Sequence, residues 1–137
     1  MNPAGALLDT GPLVALLSSK DTHHQRALRL FADYAPPFRS TEAVIAEACF
    51  LMRRVHTSGP AEVVALGRKG VYEISFSLGE HWLSVERLLL KYAGRPVSLA
   101  DASLIRCAEV HDEPRILTFD SDFSVYRWDR TKKFQIA

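Results

Sequence analysis

The chain has 137 residues, the size of one domain, and can bury a core without disulfides or a structural metal. Hydrophobic residues make up 47% and charged residues 24%, the balance of a soluble globular protein. A formal net charge of +1 excludes a broad electrostatic footprint for nucleic acid, so any such binding must use local patches.

Gly5 to Asp9 reads as a short buried strand, and Gly11-Pro12 opens a short apolar helix through Leu17. Asp21 or Thr22 can cap a second helix, with Ala27, Leu28 and Phe31 at helical spacing, ended by Pro36-Pro37. Phe38-Arg39-Ser40 is a brief strand. Thr41 then caps a helix from Glu42 to about Arg54, with Val44, Ala48 and Leu51 on one face. Ser58-Gly59-Pro60 starts another helix, with proline in the first turn where its missing N–H costs nothing. That helix ends near Gly67 to Gly70. Val71 to Phe76 alternates as a strand, Glu80 to Tyr92 is a helix, and Ser98 caps a helix to about His111. Arg115 to Phe119 is a strand, and Phe134 to Ile136 is a final edge strand. Strands separated by helices predict an α/β fold with a mainly parallel sheet covered on both faces. No linker divides the chain, so residues 1–137 read as one domain.

Cys49 and Cys107 sit inside apolar helical patterns, without zinc-ligand spacing, and read as buried thiols in a reducing compartment. Met1-Asn2-Pro3-Ala4-Gly5 has no basic segment, and no run is long enough to span a bilayer. The expectation is a cytoplasmic protein.

Four carboxylates end or interrupt apolar runs: Asp9, Glu47, Asp101 and Asp120. A carboxylate removed from water is costly unless it is paired or binds a cation. Asp9, in Asp9-Thr10-Gly11-Pro12, reads equally as a turn residue, and Asp120 equally as the N-cap of a short helix through Phe123. Glu47 lies on the shoulder of its helix's apolar stripe, where the plain alternative is pairing with Arg54. Asp101 shares a face with Leu104, Ile105 and Ala108, and Ser98-Leu99-Ala100-Asp101 also has capping-box spacing. A helix N-terminus favours an anion, so both readings of Asp101 can hold. Taken together, an Asp/Glu set without His or Cys suits Mg²⁺ or Mn²⁺ better than zinc. Such a site beside a phosphate can acidify an attacking water and stabilise in-line displacement.

The same stretches carry a family resemblance. Leu7-Leu8-Asp9-Thr10-Gly11-Pro12-Leu13-Val14-Ala15-Leu16 resembles the opening of PIN-domain nucleases, where a strand ends in Asp followed by a small hydroxyl residue. Thr41-Glu42-Ala43-Val44-Ile45-Ala46-Glu47 resembles the second motif, with its helical Glu. Pro96-Val97-Ser98-Leu99-Ala100-Asp101-Ala102 resembles the third, L-x-D-A at a helix start. Ile116-Leu117-Thr118-Phe119-Asp120-Ser121-Asp122-Phe123 resembles the fourth, L-T-x-D-x-x-F. The motifs stand in family order across nearly the whole chain, and the size is most similar to VapC-like toxins of toxin–antitoxin pairs.

The resemblance implies a three-layer α/β/α sandwich and a Mg²⁺- or Mn²⁺-dependent ribonuclease. It also implies a homodimer and inhibition by a cognate antitoxin. By motif position Asp9, Glu47, Asp101 and Asp120 are the catalytic and metal-binding acids. Asp122 competes with Asp120 for the fourth place; Asp120 is preferred because it directly follows the strand. Thr10 and Thr118 are candidates to hydrogen-bond the carboxylates or bound water. Arg53, Arg54, Lys91, Arg95 and Arg106 are candidate phosphate contacts, each equally a solvated surface charge. Trp82, Tyr92, Tyr126 and Trp128 could stack bases, although Trp82 and Tyr92 are rather expected in the core or at a dimer contact. Neighbours on a helix point about 100° apart, so His23-His24 do not converge on one ion. The alternatives are a catalytically silent PIN-like module that binds RNA or protein, and an aspartyl phosphatase. The second lacks the following Asp that its chemistry needs.

Overall fold

The computed structural model describes residues 2–137. Its centre is a five-stranded sheet, all parallel, in the order β3-β2-β1-β4-β7. The strands are β1 (Leu7–Leu8), β2 (Phe38–Ser40), β3 (Tyr72–Ile74), β4 (Arg115–Leu117) and β7 (Gln135–Ile136). Two more, β5 (Arg127–Trp128) and β6 (Lys132–Lys133), form a separate antiparallel hairpin. The helices are α1 (Thr10–Leu17), α2 (His24–Asp33), α3 (Glu42–Arg53), α4 (Gly59–Arg68), α5 (Trp82–Lys91) and α6 (Leu99–His111).

Side-chain alternation in the sheet builds the layers. Leu7 and Ile116 face one way, into a core with Val85 and Leu88 of α5 and Leu104, Ile105 and Ala108 of α6. Leu8 and Leu117, one residue on, face the other way, against Leu13, Leu30, Ala48, Met52 and Val63 of α1 to α4. The result is the expected three-layer α/β/α sandwich. Because Leu7–Leu8 of β1 and Ile116–Leu117 of β4 are completely buried, they read as apolar runs rather than as alternating ones.

Local chemistry starts the helices where the sequence places them. Asp9 caps α1, and the Thr41 hydroxyl accepts the Val44 amide at the start of α3. At α6 the capping box is complete: Ser98 Oγ accepts the Asp101 amide and Asp101 Oδ2 accepts the Ser98 amide. The Thr41 and Ser103 hydroxyls are 2.7 Å apart in the core, which locks the start of α3 against the first turns of α6. The sheet order puts β2 and β3 on one side of β1 and β4 and β7 on the other. The strand order therefore reverses between β1 and β4, and a crevice opens beyond their carboxyl ends.

Several expectations need correction. The cap of α2 is His23 rather than Asp21 or Thr22; the Asp21 carboxylate accepts the His23 amide in a turn just before the helix. Helix α5 begins at Trp82, because Leu78–Glu80 forms a separate 3-10 turn. Trp82 is not a core residue: it is 66% exposed. Tyr126 and Trp128 are buried, so neither offers a face for base stacking. Cys107 is buried but Cys49 only half so. The β5–β6 hairpin had no expectation at all. Among the described residues no helix is long and apolar enough to cross a membrane.

Candidate active site

Asp9 leaves the end of β1 and turns into α1. Its Oδ1 accepts the Thr10 amide at 2.8 Å, and its Oδ2 accepts the Thr118 hydroxyl at 2.7 Å. Thr118 Oγ1 in turn accepts the Asp120 amide at 3.0 Å. One hydroxyl thus ties the carboxyl ends of β1 and β4 together. Asp9 is 6% exposed. Burial pushes its carboxyl up to about 6, against the pull of the Thr118 and Thr10 hydrogen bonds, and the charges of Asp101 and Glu47 push the same way.

Asp101 is also buried, at 7% exposure, although it lies in the first turn of α6. Beside the Ser98 amide, its Oδ2 accepts the Tyr126 hydroxyl at 3.1 Å. Burial raises its pKa most, the Ser98 and Tyr126 bonds hold it down, and Asp120 raises it further. Burial and the Asp101 carboxylate together raise Tyr126, so its hydroxyl remains a donor at any ordinary pH.

Glu47 projects from the middle of α3 and is solvent-exposed, not half-buried as its wheel position suggested. It forms no ion pair with Arg54 among the described residues. Its pKa is nevertheless raised, by partial burial of the carboxyl and then by Asp101 and Asp120. Asp120 caps the 3-10 turn Ser121–Ser124 through its Oδ1, which accepts the Asp122 amide at 2.9 Å. The two acids before Phe123 then diverge. Asp120 acts on Glu47 and Asp101, whereas Asp122 pairs with Arg95 at 2.8 Å. The geometry favours Asp120 as the fourth acid.

Each of the four predicted carboxylates therefore feels at least one other across the crevice, although they come from four separate elements. Among the described residues no three His, Cys, Asp or Glu side chains stand close enough to share an ion directly. An ion in this crevice would be bound directly by at most two of the carboxylates and reached by the others through water, an arrangement that Mg²⁺ and Mn²⁺ allow. The Thr10 hydroxyl supports the fit: it is buried beside Asp9 and is without a partner among the described residues. A cation's hydration shell at Asp9 would satisfy it. Of the two roles expected of the Thr10 hydroxyl, it bonds no carboxylate among the described residues, where only the Thr10 amide does, which leaves the role toward bound water.

Tyr126 is a site residue that the sequence reading assigned elsewhere. It lies 25 positions from Asp101, and no local pattern links them. Arg26 of α2 was not singled out either; its guanidinium lies 4.6 Å from the centre of the Phe119 ring, beside Asp120. Of the candidate phosphate contacts, Arg95 pairs with Asp122, two residues from Asp120. Arg53 is spent on the Thr57 carbonyl at the far end of α3. His23 packs on Phe119 and His24 Nδ1 lies 2.6 Å from the Ala15 carbonyl, so the two rings do not converge.

Residues 6–129 match the sequence model of the PIN domain, which covers all four carboxylates. The chain belongs to the PIN domain family. Among solved structures, this PIN domain is similar to Mycobacterium tuberculosis VapC20, described as a sarcin-ricin-loop-cleaving toxin. The TM-score is 0.79 at 22% identity, over 90% of this chain and 94% of that one, a likeness of fold. A comparison with curated proteins returned no match.

Proposed function

We propose that this PIN domain is a Mg²⁺- or Mn²⁺-dependent endoribonuclease, with Asp9, Glu47, Asp101 and Asp120 as its catalytic and metal-holding acids. One observation carries the reading: four carboxylates from different elements gather at the strand-order reversal of a parallel sheet, each within electrostatic reach of at least one other. Buried like charges raise one another's pKa and store an attraction for a cation. A divalent ion held there would neutralise charge on a phosphodiester and acidify an attacking water.

The chain's own groups divide the remaining work. Thr118 and the Thr10 amide fix both oxygens of Asp9. Ser98 and Tyr126 fix Asp101. The N-termini of α1 and α6 favour the ionised form of both acids. Either Glu47 or Asp120 would orient the attacking water and take its proton; the exposure and raised pKa of Glu47 support Glu47. Arg95, beside Asp122, is placed to meet a phosphate next to the one cleaved.

Likeness in fold to VapC20 supports a further step: that this chain is the toxin of a toxin–antitoxin pair, works as a homodimer in the cytoplasm, and is blocked by a cognate antitoxin. The test of the chemistry is RNA cleavage with Mn²⁺ and with EDTA. Asp9→Asn and Asp101→Asn should each abolish cleavage while the protein stays folded; unchanged cleavage by both overturns the proposal. The absence of any three-carboxylate cluster among the described residues favours one other reading, a silent PIN-like module that binds RNA or protein. That reading is sustained if RNA binds but is never cut with Mn²⁺. The toxin step is tested by growth arrest on expression and its relief by a co-expressed neighbouring gene product.

A further inference from the structure

We propose that an open cavity between α5, α6 and the β5–β6 hairpin binds a backbone phosphate of the RNA substrate, away from the bond that is cut. The inference rests on the ribonuclease reading and names a part of its substrate site. The cavity has a volume of about 330 Å³ and is lined by Arg87, Lys91, Arg127 and Arg130. None of these four cations makes an ion pair among the described residues. The acids of the same wall are already matched: Glu109 with Arg106 at 3.1 Å, and Asp129 with Lys132 at 3.2 Å. Four unmatched positive charges around one concavity repel one another, and a polyanion relieves that repulsion.

Two of the four cations, Arg127 and Lys91, are held by backbone carbonyls. Arg127 Nη1 donates to the carbonyls of Ser124, Val125 and Tyr126, and Lys91 Nζ reaches the Arg130 carbonyl at 3.4 Å. The hairpin loop carries a second, independent sign. Asp129 and Arg130 have φ of 47° and 72°, in the left-handed region. Asp tolerates that region; Arg gains nothing from it, and Gly would adopt it at no cost. An arginine kept where the backbone calls for glycine points to a use for its side chain.

Position selects RNA over an acidic peptide. Tyr126, which bonds Asp101, is the immediate neighbour of Arg127. Arg106 is five residues beyond Asp101 on α6, about 7.5 Å along the helix. Arg95, next to Lys91's helix end, bridges to Asp122 at the carboxylate crevice. The Tyr126–Arg127 step and helix α6 thus connect the basic cavity to the carboxylates. A nucleic-acid strand spanning both places meets cations along its backbone and the metal-binding acids at its cleaved bond. An acidic peptide following the same track would end against four carboxylates.

The test uses fluorescence anisotropy of a labelled single-stranded RNA, in EDTA, over a salt series. The binding variants are made in an Asp101→Asn background so that the RNA is not cut. Arg87→Gln with Arg130→Gly should weaken binding at least tenfold. It should also lower the slope of log K against log salt by about 1.4, the share of two phosphate contacts on a single strand. Arg130→Gly alone should weaken RNA binding while raising Tm, since it removes left-handed strain; a purely structural role for Arg130 predicts the opposite on Tm. If Arg130→Gly lowers Tm, Arg87→Gln must weaken binding by itself, or the inference falls. Unchanged affinity and slope in the double variant, with wild type still cleaving RNA, overturns the inference and leaves the ribonuclease reading standing. Wild type that neither binds nor cleaves RNA overturns both. Loss of polyglutamate binding without loss of RNA binding assigns the cavity to protein docking and overturns the RNA assignment.

Discussion

Replacing Asp9 with Asn removes a negative charge that the fold tolerates at a cost. The carboxyl is buried and its pKa stands at about 6 against an ordinary 3.8. A raised carboxyl contributes stability that is fully present below pH 3.8 and is lost as pH rises through 6. The difference of about 2.2 units corresponds to roughly 3 kcal/mol withheld from the folded state at pH 8. Asn carries no charge, so it escapes this cost at every pH. It has one acceptor oxygen instead of two, so the bonds from Thr10 and Thr118 must reorganise, which offsets about 1 kcal/mol. The net expectation is a metal-free variant about 2 kcal/mol more stable than wild type at pH 8, or roughly 7 °C in Tm for a chain this long. At pH 4 the advantage should vanish or reverse. Urea unfolding in EDTA at both pH values reads the two numbers directly. Mn²⁺ should then raise the Tm of wild type and leave the variant unmoved. A variant less stable than wild type at pH 8, or an advantage that does not shrink on acidification, would refute the account of Asp9 as a strained, cation-seeking charge.

Three further outcomes are expected. Thr118→Val, nearly isosteric, removes the donor to Asp9 and the acceptor for the Asp120 amide; it should cost about 1–3 kcal/mol in denaturant unfolding at pH 8 and cost less at pH 4, where Asp9 is neutral. Tyr126→Phe deletes one bond to Asp101, so stability should fall by about 1 kcal/mol. Because that bond holds the Asp101 pKa down, the acid limb of the cleavage pH profile should also move upward; a profile that stays put would separate Tyr126 from the chemistry. Gly59→Ala should destabilise by about 2 kcal/mol or more in thermal unfolding, since a methyl there runs into the Met52 carbonyl where α4 crosses α3.

The sequence by itself determined the elements whose causes are local. Thr41 and Ser98 announced α3 and α6 because a capping hydroxyl needs only the amide three residues on. The buried strands showed as apolar runs, and the order of four acidic motifs identified the family. The four carboxylates were legible one at a time. Their joint character was not, because a pKa of about 6 at Asp9 depends on burial under the whole sheet and on charges from other elements. Support for Asp120 over Asp122 also waited for the fold, where Arg95, 27 residues away, pairs with Asp122. Tyr126 and the β5–β6 hairpin stayed hidden for the same reason. Tyr126 acts on a residue 25 positions away, and the hairpin's two-residue strands leave no period to read. Local hydrogen bonding wrote the elements into the chain, but the field inside the crevice exists only once β1 and β4 lie side by side.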